Sequence, residues 1–293
     1  MTEPHPYAGA TIALATMHGK AEALAPAFAM LGASLVVPEN IDTDALGTFS
    51  GEIPRLQSPL ETAIVKARLA MTAAGLPLGL ATEGSFGPDP LIGFVPMHRE
   101  LAVLVDDLHS QVVCEWRNSH ETNFASRVVG HASELDAPQL VRWRFPSHAL
   151  IVRAEPQGPV FNGPLFNGPV FKSLRDRGAL DDAIATCIAS SASRQARVET
   201  DMRAHLNPTR MHQIAALGER LVERLRCRCP RCTAPGFGRI DVVTGLPCGW
   251  CGQPTAGVLA EIHGCAACSE RLQLPRSDGL RQSDPAHCDI CNP

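Results

Sequence analysis

Residues able to do chemistry recur at the ends of apolar runs. The run Leu76–Ala81 leads into Glu83 inside ATEGSFGPDP, Ala81–Pro90, where two glycines and two prolines follow. A buried strand that closes on a carboxylate and a Gly-rich turn presents an acid at the carboxyl edge of an α/β sheet. A second acidic strand end is Gln195–Asp201, where Glu199 and Asp201 precede Arg203, Arg210 and the helix start Asn207-Pro208. Two carboxylates, two guanidinium groups and a helix N-terminus suit a phosphate with its metal; a structural ion-pair network has the same composition.

Three further clusters belong to the same chemistry. His18-Gly19-Lys20 follows the apolar stretch Ala10–Thr16 and precedes an Ala-rich helix, so free backbone N–H groups and Lys20 favour an anion there. Asn40–Arg55 is a polar loop whose Asp42 and Asp44 can hold Mg²⁺ as one or two carboxylates do, although solvated loops look alike. His148, at the entrance of the strand Ala149–Ala154, is a candidate base or phosphate donor. Only three of the 26 basic residues are lysine, among them Lys20 and Lys66. A lysine kept in an Arg-rich chain is read as a compact point charge, here for phosphate.

The cysteines carry a different chemistry. Nine of the eleven follow residue 226, and eight of these form four C-x-x-C pairs: Cys229/Cys232, Cys248/Cys251, Cys265/Cys268 and Cys288/Cys291. Gaps of 15 and 19 residues within the first two and the last two pairs fit zinc ribbons, which predicts two structural tetrathiolate Zn²⁺ sites. Spacing also allows cross-braced pairing of first with third and second with fourth. Disulfides are the weaker reading without a secretion signal. Cys227 is spare.

Elements must position these groups. The first strand, helix and strand Ser34–Pro38 make a βαβ unit with parallel strands. Ser58-Pro59-Leu60-Glu61 starts a helix that carries Lys66 and stops at Gly75. Leu91–Val95, Leu101–Val105 and Gln111–Trp116 read as strands, the last two as a hairpin. Helices are expected over Ala137–Phe145, Arg177–Ser190 and from Asn207 to about Arg226, while the repeated GPVFN, GPLFN and GPVFK of Gly158–Lys172 read as a surface loop. The fold class is α/β, a mixed sheet with flanking helices over residues 1–226, followed by a small double zinc-ribbon module over 227–293.

Composition excludes some functions. The chain has a formal charge of −4, and from Cys227 onward six Arg balance six Asp or Glu with no Lys, so a nucleic-acid grip is not expected. The opening residues form no signal peptide and no apolar run is long enough for a membrane helix, so a cytoplasmic protein is expected. Its partners are expected to be a small phosphorylated or anionic ligand and a protein docked through the ribbons.

Taken together, TMHGK, DTDALGTFSGE, EGSFGPDP, FPSH, ETDMRAHLNPTRM and the C-x-x-C tail resemble a bacterial family of unknown function. The order of strand, Thr16-x-x-x-Lys20, helix, strand, polar loop, Ala63-x-x-Lys66-Ala67 and acid-ended strand also looks like the inosine-triphosphatase type of nucleotide pyrophosphatase. That likeness implies phosphate roles for Lys20 and Lys66 and an Mg²⁺ role for Glu83. His18 with its shorter turn, and Thr82-Glu83 in place of paired acids, depart from the family's pattern. The reading is an Mg²⁺-dependent hydrolase of a nucleotide or other phosphorylated substrate; the alternative is a non-catalytic small-anion-binding module whose zinc ribbons dock a protein or nucleic-acid partner.

Overall fold

The computed structural model describes residues 4–39, 41, 57–156 and 168–293. Asp42 and Asp44, and most of the Gly-Pro-Phe repeat, lie outside the described residues. The first sheet holds β1 (Thr11–Ala15), β2 (Ser34–Val36), β3 (Leu78–Pro88), β4 (Pro96–Asp106) and β5 (Gln111–Ser119) in the order β2-β1-β3-β4-β5. β1 is parallel to both β2 and β3, while β3, β4 and β5 are antiparallel, so the sheet is mixed.

Alternation along these strands divides the core. Ala81, Leu101 and Val103 face α2 (Pro59–Ala74), where Ala63, Ala67, Ala70 and Met71 meet them. Gly79 admits that helix closely: a Cβ there would stand 2.6 Å from Ala67 O. On the other face Ile12, Leu14, Leu80 and Leu104 pack with Leu24 and Phe28 of α1 (Ala21–Ala29) and Leu217 and Leu221 of α5 (Pro208–Arg226). The expected capping box of α2 is formed, with Ser58 Oγ accepting from Glu61 N at 3.3 Å and Ser58 N donating to Glu61 Oε2 at 2.9 Å. Gly75 ends the helix at φ +65°.

Two expectations for residues 83–95 are corrected. The acid does not end its strand: β3 runs on through Glu83 to Pro88, because β4 pairs with it residue by residue beyond the point where β1 stops. Leu91–Val95 is a turn instead of a strand. Asp89 Oδ1 accepts from Leu91 N and Ile92 N at 2.8 and 3.1 Å, and Gly93 takes φ +78°, so the backbone satisfies itself locally.

Residues 126–200 build a second, antiparallel sheet that the sequence did not reveal: β6 (Ser126–Val129), β7 (Leu150–Ala154), β8 (Val170–Leu174) and β9 (Ala196–Thr200), ordered β6-β9-β7-β8. Short α3 (Ala137–Arg142) precedes β7, and α4 (Arg177–Ser190) covers one face with Leu180, Ala183 and Ile184. The tail is a meander of β10 (Gly238–Thr244), β11 (Val258–Gly264) and β12 (Arg271–Pro275). Arg224, near the end of α5, seats it by donating to Gly236 O, Cys114 O and the Glu115 carboxylate. No described helix is long and apolar enough to cross a membrane.

Candidate functional site

β1 ends at Ala15 while β3 continues, which leaves β3 residues 82–86 open on the β1 side. Lys20, the residue before α1, fills that space: its Nζ donates to Thr82 O at 3.0 Å and Thr82 Oγ1 at 2.8 Å. Thr82 points to the α1 side and Glu83, the next residue, to the α2 side, where it is ion-paired with Lys66. All four residues are buried. The strand thus separates two lysines and brings both to one edge. Lys20, Lys66 and Glu83, read from scattered motifs, are one cluster.

The α5 side of the strand holds two residues that the sequence reading missed. Glu100, opposite Gly84, accepts from Arg210 Nε and Nη2 at 3.1 and 3.0 Å, and lies 2.6 Å from His98 Nε2. Arg210 Nη1 donates to Met202 O at 2.7 Å. Phe86 stacks on His98 with ring centroids 4.4 Å apart, and the Arg210 guanidinium carbon lies 5.4 Å from the Phe86 ring. Gly84 is required here: a Cβ would stand 2.4 Å from Glu100 Oε2 and 2.6 Å from Arg210 Nη2. The polar H-x-E spacing of His98 and Glu100 was the available signal, since it puts both on the face of buried Ala102 and Leu104.

Lys20, Lys66 and Arg210 stand together with Glu83 and Glu100. Burial lowers the Lys20 pKa to about 8, with repulsion from Arg210 adding to it and attraction to Glu100 and Glu83 opposing it. Burial alone would raise Glu100, but Arg210, His98 and Lys20 together hold it well below the usual carboxylate range.

The other candidates stand around this cluster in separate networks. Asp201 is fully buried and accepts from Arg203 Nε at 3.0 Å and Nη2 at 2.6 Å, so Arg203 is engaged with it. Asn207 caps α5 by accepting from Arg210 N at 3.0 Å, and its amide donates to Asn123 Oδ1 and Asp201 O. His148 secures the same helix start: Thr209 N donates to its Nε2 at 3.2 Å, which puts the ring proton on Nδ1 beside Ser147 Oγ at 3.0 Å. Burial, helped by Arg144, lowers the His148 pKa. Glu199 pairs with Arg153 across β7 and β9, and burial raises its carboxyl despite that partner. Nothing among the described contacts joins Glu199 or His148 to Glu83. His18 stacks on His205, with centroids 4.8 Å apart.

The tail brings its cysteines together in two groups, Cys229, Cys232, Cys265 and Cys268, and Cys248, Cys251, Cys288 and Cys291, with the sulfurs of each group within 4.8 Å. Sequential pairing is therefore replaced by the cross-braced one, because β10 and β11 carry the chain between knuckles and return the third to the first. Sulfur separations of 3.6 and 3.8 Å recur in both groups. Four thiolates about 2.3 Å from one tetrahedral Zn²⁺ stand about 3.8 Å apart, so the sets fit zinc and are too open for disulfides. Backbone N–H groups of Cys251 and Trp250 turn towards Cys248 and lower its thiol to about 7. Cys227 stays outside both groups.

A family model described as a domain of unknown function (DUF6671) matches residues 66–293, which includes Lys66, Glu83, Glu100, Arg210 and all eight clustered cysteines. No curated protein and no solved structure matches the chain.

Proposed function

The chain belongs to the DUF6671 family, and from that premise, which brings no activity with it, we propose that the edge around Lys20, Lys66 and Glu83 takes a phosphorylated substrate and hydrolyses it with Mg²⁺. The observation that carries this is the convergence of Lys20, Lys66 and Glu83 with the Glu100–Arg210 pair, buried where a strand outruns its neighbour. Low-dielectric surroundings strengthen the pull of these cations on an anion. In this reading Lys20 and Lys66 bind phosphate oxygens, and Arg210 acts through Glu100 to keep Lys20 in place. A water oxygen bonds to phosphorus, the P–O bond to the leaving group breaks, and Glu83 takes the proton that the water loses. Mg²⁺, when bound, would supply further charge neutralisation on the phosphate. The eight cysteines hold two structural zinc ions.

The test is phosphate or pyrophosphate release from a panel of nucleoside triphosphates and phosphate esters, with zinc-loaded protein and Mg²⁺ or Mn²⁺. Turnover abolished in Glu83→Gln supports hydrolysis. Lys20-dependent binding of tripolyphosphate without turnover selects the second reading, an anion-binding module. That reading is favoured by one feature: Lys66 and Glu83 already satisfy each other. Its protein partner would dock at the second cysteine group, where Trp250 is 79% and Ile290 66% exposed.

A further inference from the structure

Lys20 stands apart from the other cations of its cluster. It is 7% exposed, and among the described residues no carboxylate lies within ion-pair distance of it, whereas Lys66 is paired with Glu83 and Arg210 with Glu100. Buried lysines are ordinarily paired, because an ammonium is costly to take out of water. Among the described residues, Lys20 Nζ makes its hydrogen bonds to Thr82 alone, to O at 3.0 Å and Oγ1 at 2.8 Å. An ammonium has three N–H groups and an amine has two. Two acceptors therefore satisfy the uncharged amine in full and leave its lone pair in a third direction.

Residue type points the same way. The chain has three lysines among 26 basic residues. For gripping an anion alone, arginine offers a planar fork of donors; what it cannot do is give up its proton and attack. Burial, with repulsion from Arg210 added, brings the Lys20 amine to about 8. About one molecule in ten then carries it uncharged at pH 7, against about one in 3,000 for an ordinary lysine.

We propose that Lys20 is a nucleophile that condenses with the carbonyl group of an anionic aldehyde or ketone to form an imine. This goes beyond the phosphate reading, since it needs a carbonyl carbon instead of a P–O bond and gives the lysine a covalent role. Nζ bonds to the carbonyl carbon, and the carbonyl electron pair moves to oxygen. That oxygen takes a proton from Nζ, which the Thr82 hydroxyl is placed to relay, and a carbinolamine results. Loss of the oxygen as water, with the second proton of Nζ, leaves the C=N bond. In its protonated form the imine is a cation that no described carboxylate touches. A carboxylate or phosphate on the substrate itself supplies the counter-charge in contact.

The experiment incubates the full-length, zinc-loaded protein at pH 7 with sodium cyanoborohydride and one of three aldehydes: glyoxylate, glycolaldehyde phosphate or uncharged glycolaldehyde. Reduction turns an imine into a stable secondary amine, and peptide mass mapping locates it among the three lysines. Lys20 is expected to be labelled at least tenfold faster than Lys66 and Lys172 by one or both anionic aldehydes, and more slowly by glycolaldehyde. Thr82→Val, checked for folding by circular dichroism, is expected to slow labelling of Lys20 at least fivefold and to leave that of Lys172 unchanged. Labelling of Lys172 ahead of Lys20, or no labelling of Lys20 by any of the three, overturns the inference. Glycolaldehyde that reacts at Lys20 as fast as both anionic aldehydes overturns the anionic substrate class. Phosphate release that depends on Glu83 while Lys20 stays unlabelled removes this inference and leaves the phosphate reading standing; labelling without such release does the reverse.

Discussion

Lys20 is a cation that folding has removed from water, and its titration carries a signed prediction. Below pH 8 it is charged in folded and unfolded chains alike, so the cost of burying the charge is fully present. Between about 8 and its ordinary 10.5 the unfolded chain holds a proton that the folded one has released, and stability rises with pH. Lys20→Met is therefore expected to stabilise the protein at pH 7, by on the order of 1–3 kcal/mol, and the gain should vanish above pH 10.5; urea midpoints across pH measure it. Anion binding should move oppositely and fade as pH rises through 8. Glu100→Gln, by contrast, removes the carboxylate that pairs with buried Arg210 and should cost about 3–5 kcal/mol in thermal or urea unfolding. Lys20, Lys66 and Glu83 were legible because each is polar at the end or centre of an apolar element. Glu100 was hidden, since it lies just before the apolar run Leu101–Val105, where a charge reads equally well as a solvated strand end.

Helix α5 carries more than its length suggests. Its cap Asn207 is buried and also holds Asn123 and Asp201 O, whereas the cap of α2, Ser58, is exposed. Ser58→Ala is expected to cost about 1 kcal/mol, as N-caps do. Asn207→Ala should cost more, because it strands a buried amide as well; melting temperatures of the two variants decide it. The capping box of α2, the βαβ start and the long helices were readable because their signals are local. β3 was misjudged because glycine and proline normally mark a turn, and only the partner strand β4 shows that Glu83–Pro88 is paired. The second sheet escaped for a related reason: β6 has four residues, and β8 begins at Val170 inside the last copy of the repeat, which the Gly-Pro pattern reads as surface loop.

At the scale of the molecule, the tail is organised by two groups of four cysteines that fit zinc, and seated by Arg224. Each chain is expected to bind two zinc ions, and because the knuckles interleave, Cys265→Ser should lower the content towards none instead of one; metal analysis after gel filtration checks this. The number of sites was legible from the cysteine spacing, but their pairing was not, since it depends on how strands β10 and β11 return the chain. That return has a consequence for how the protein is made. A ribosome delivers the chain from its amino end, so Cys229, Cys232, Cys248 and Cys251 are available together before Cys265 exists. These four have the spacing of a complete ribbon, and a zinc ion that reaches them early would bind the wrong set. From that set the finished arrangement can be reached only by exchange of ligands on the bound metal, since Cys229 and Cys232 end in one group and Cys248 and Cys251 in the other.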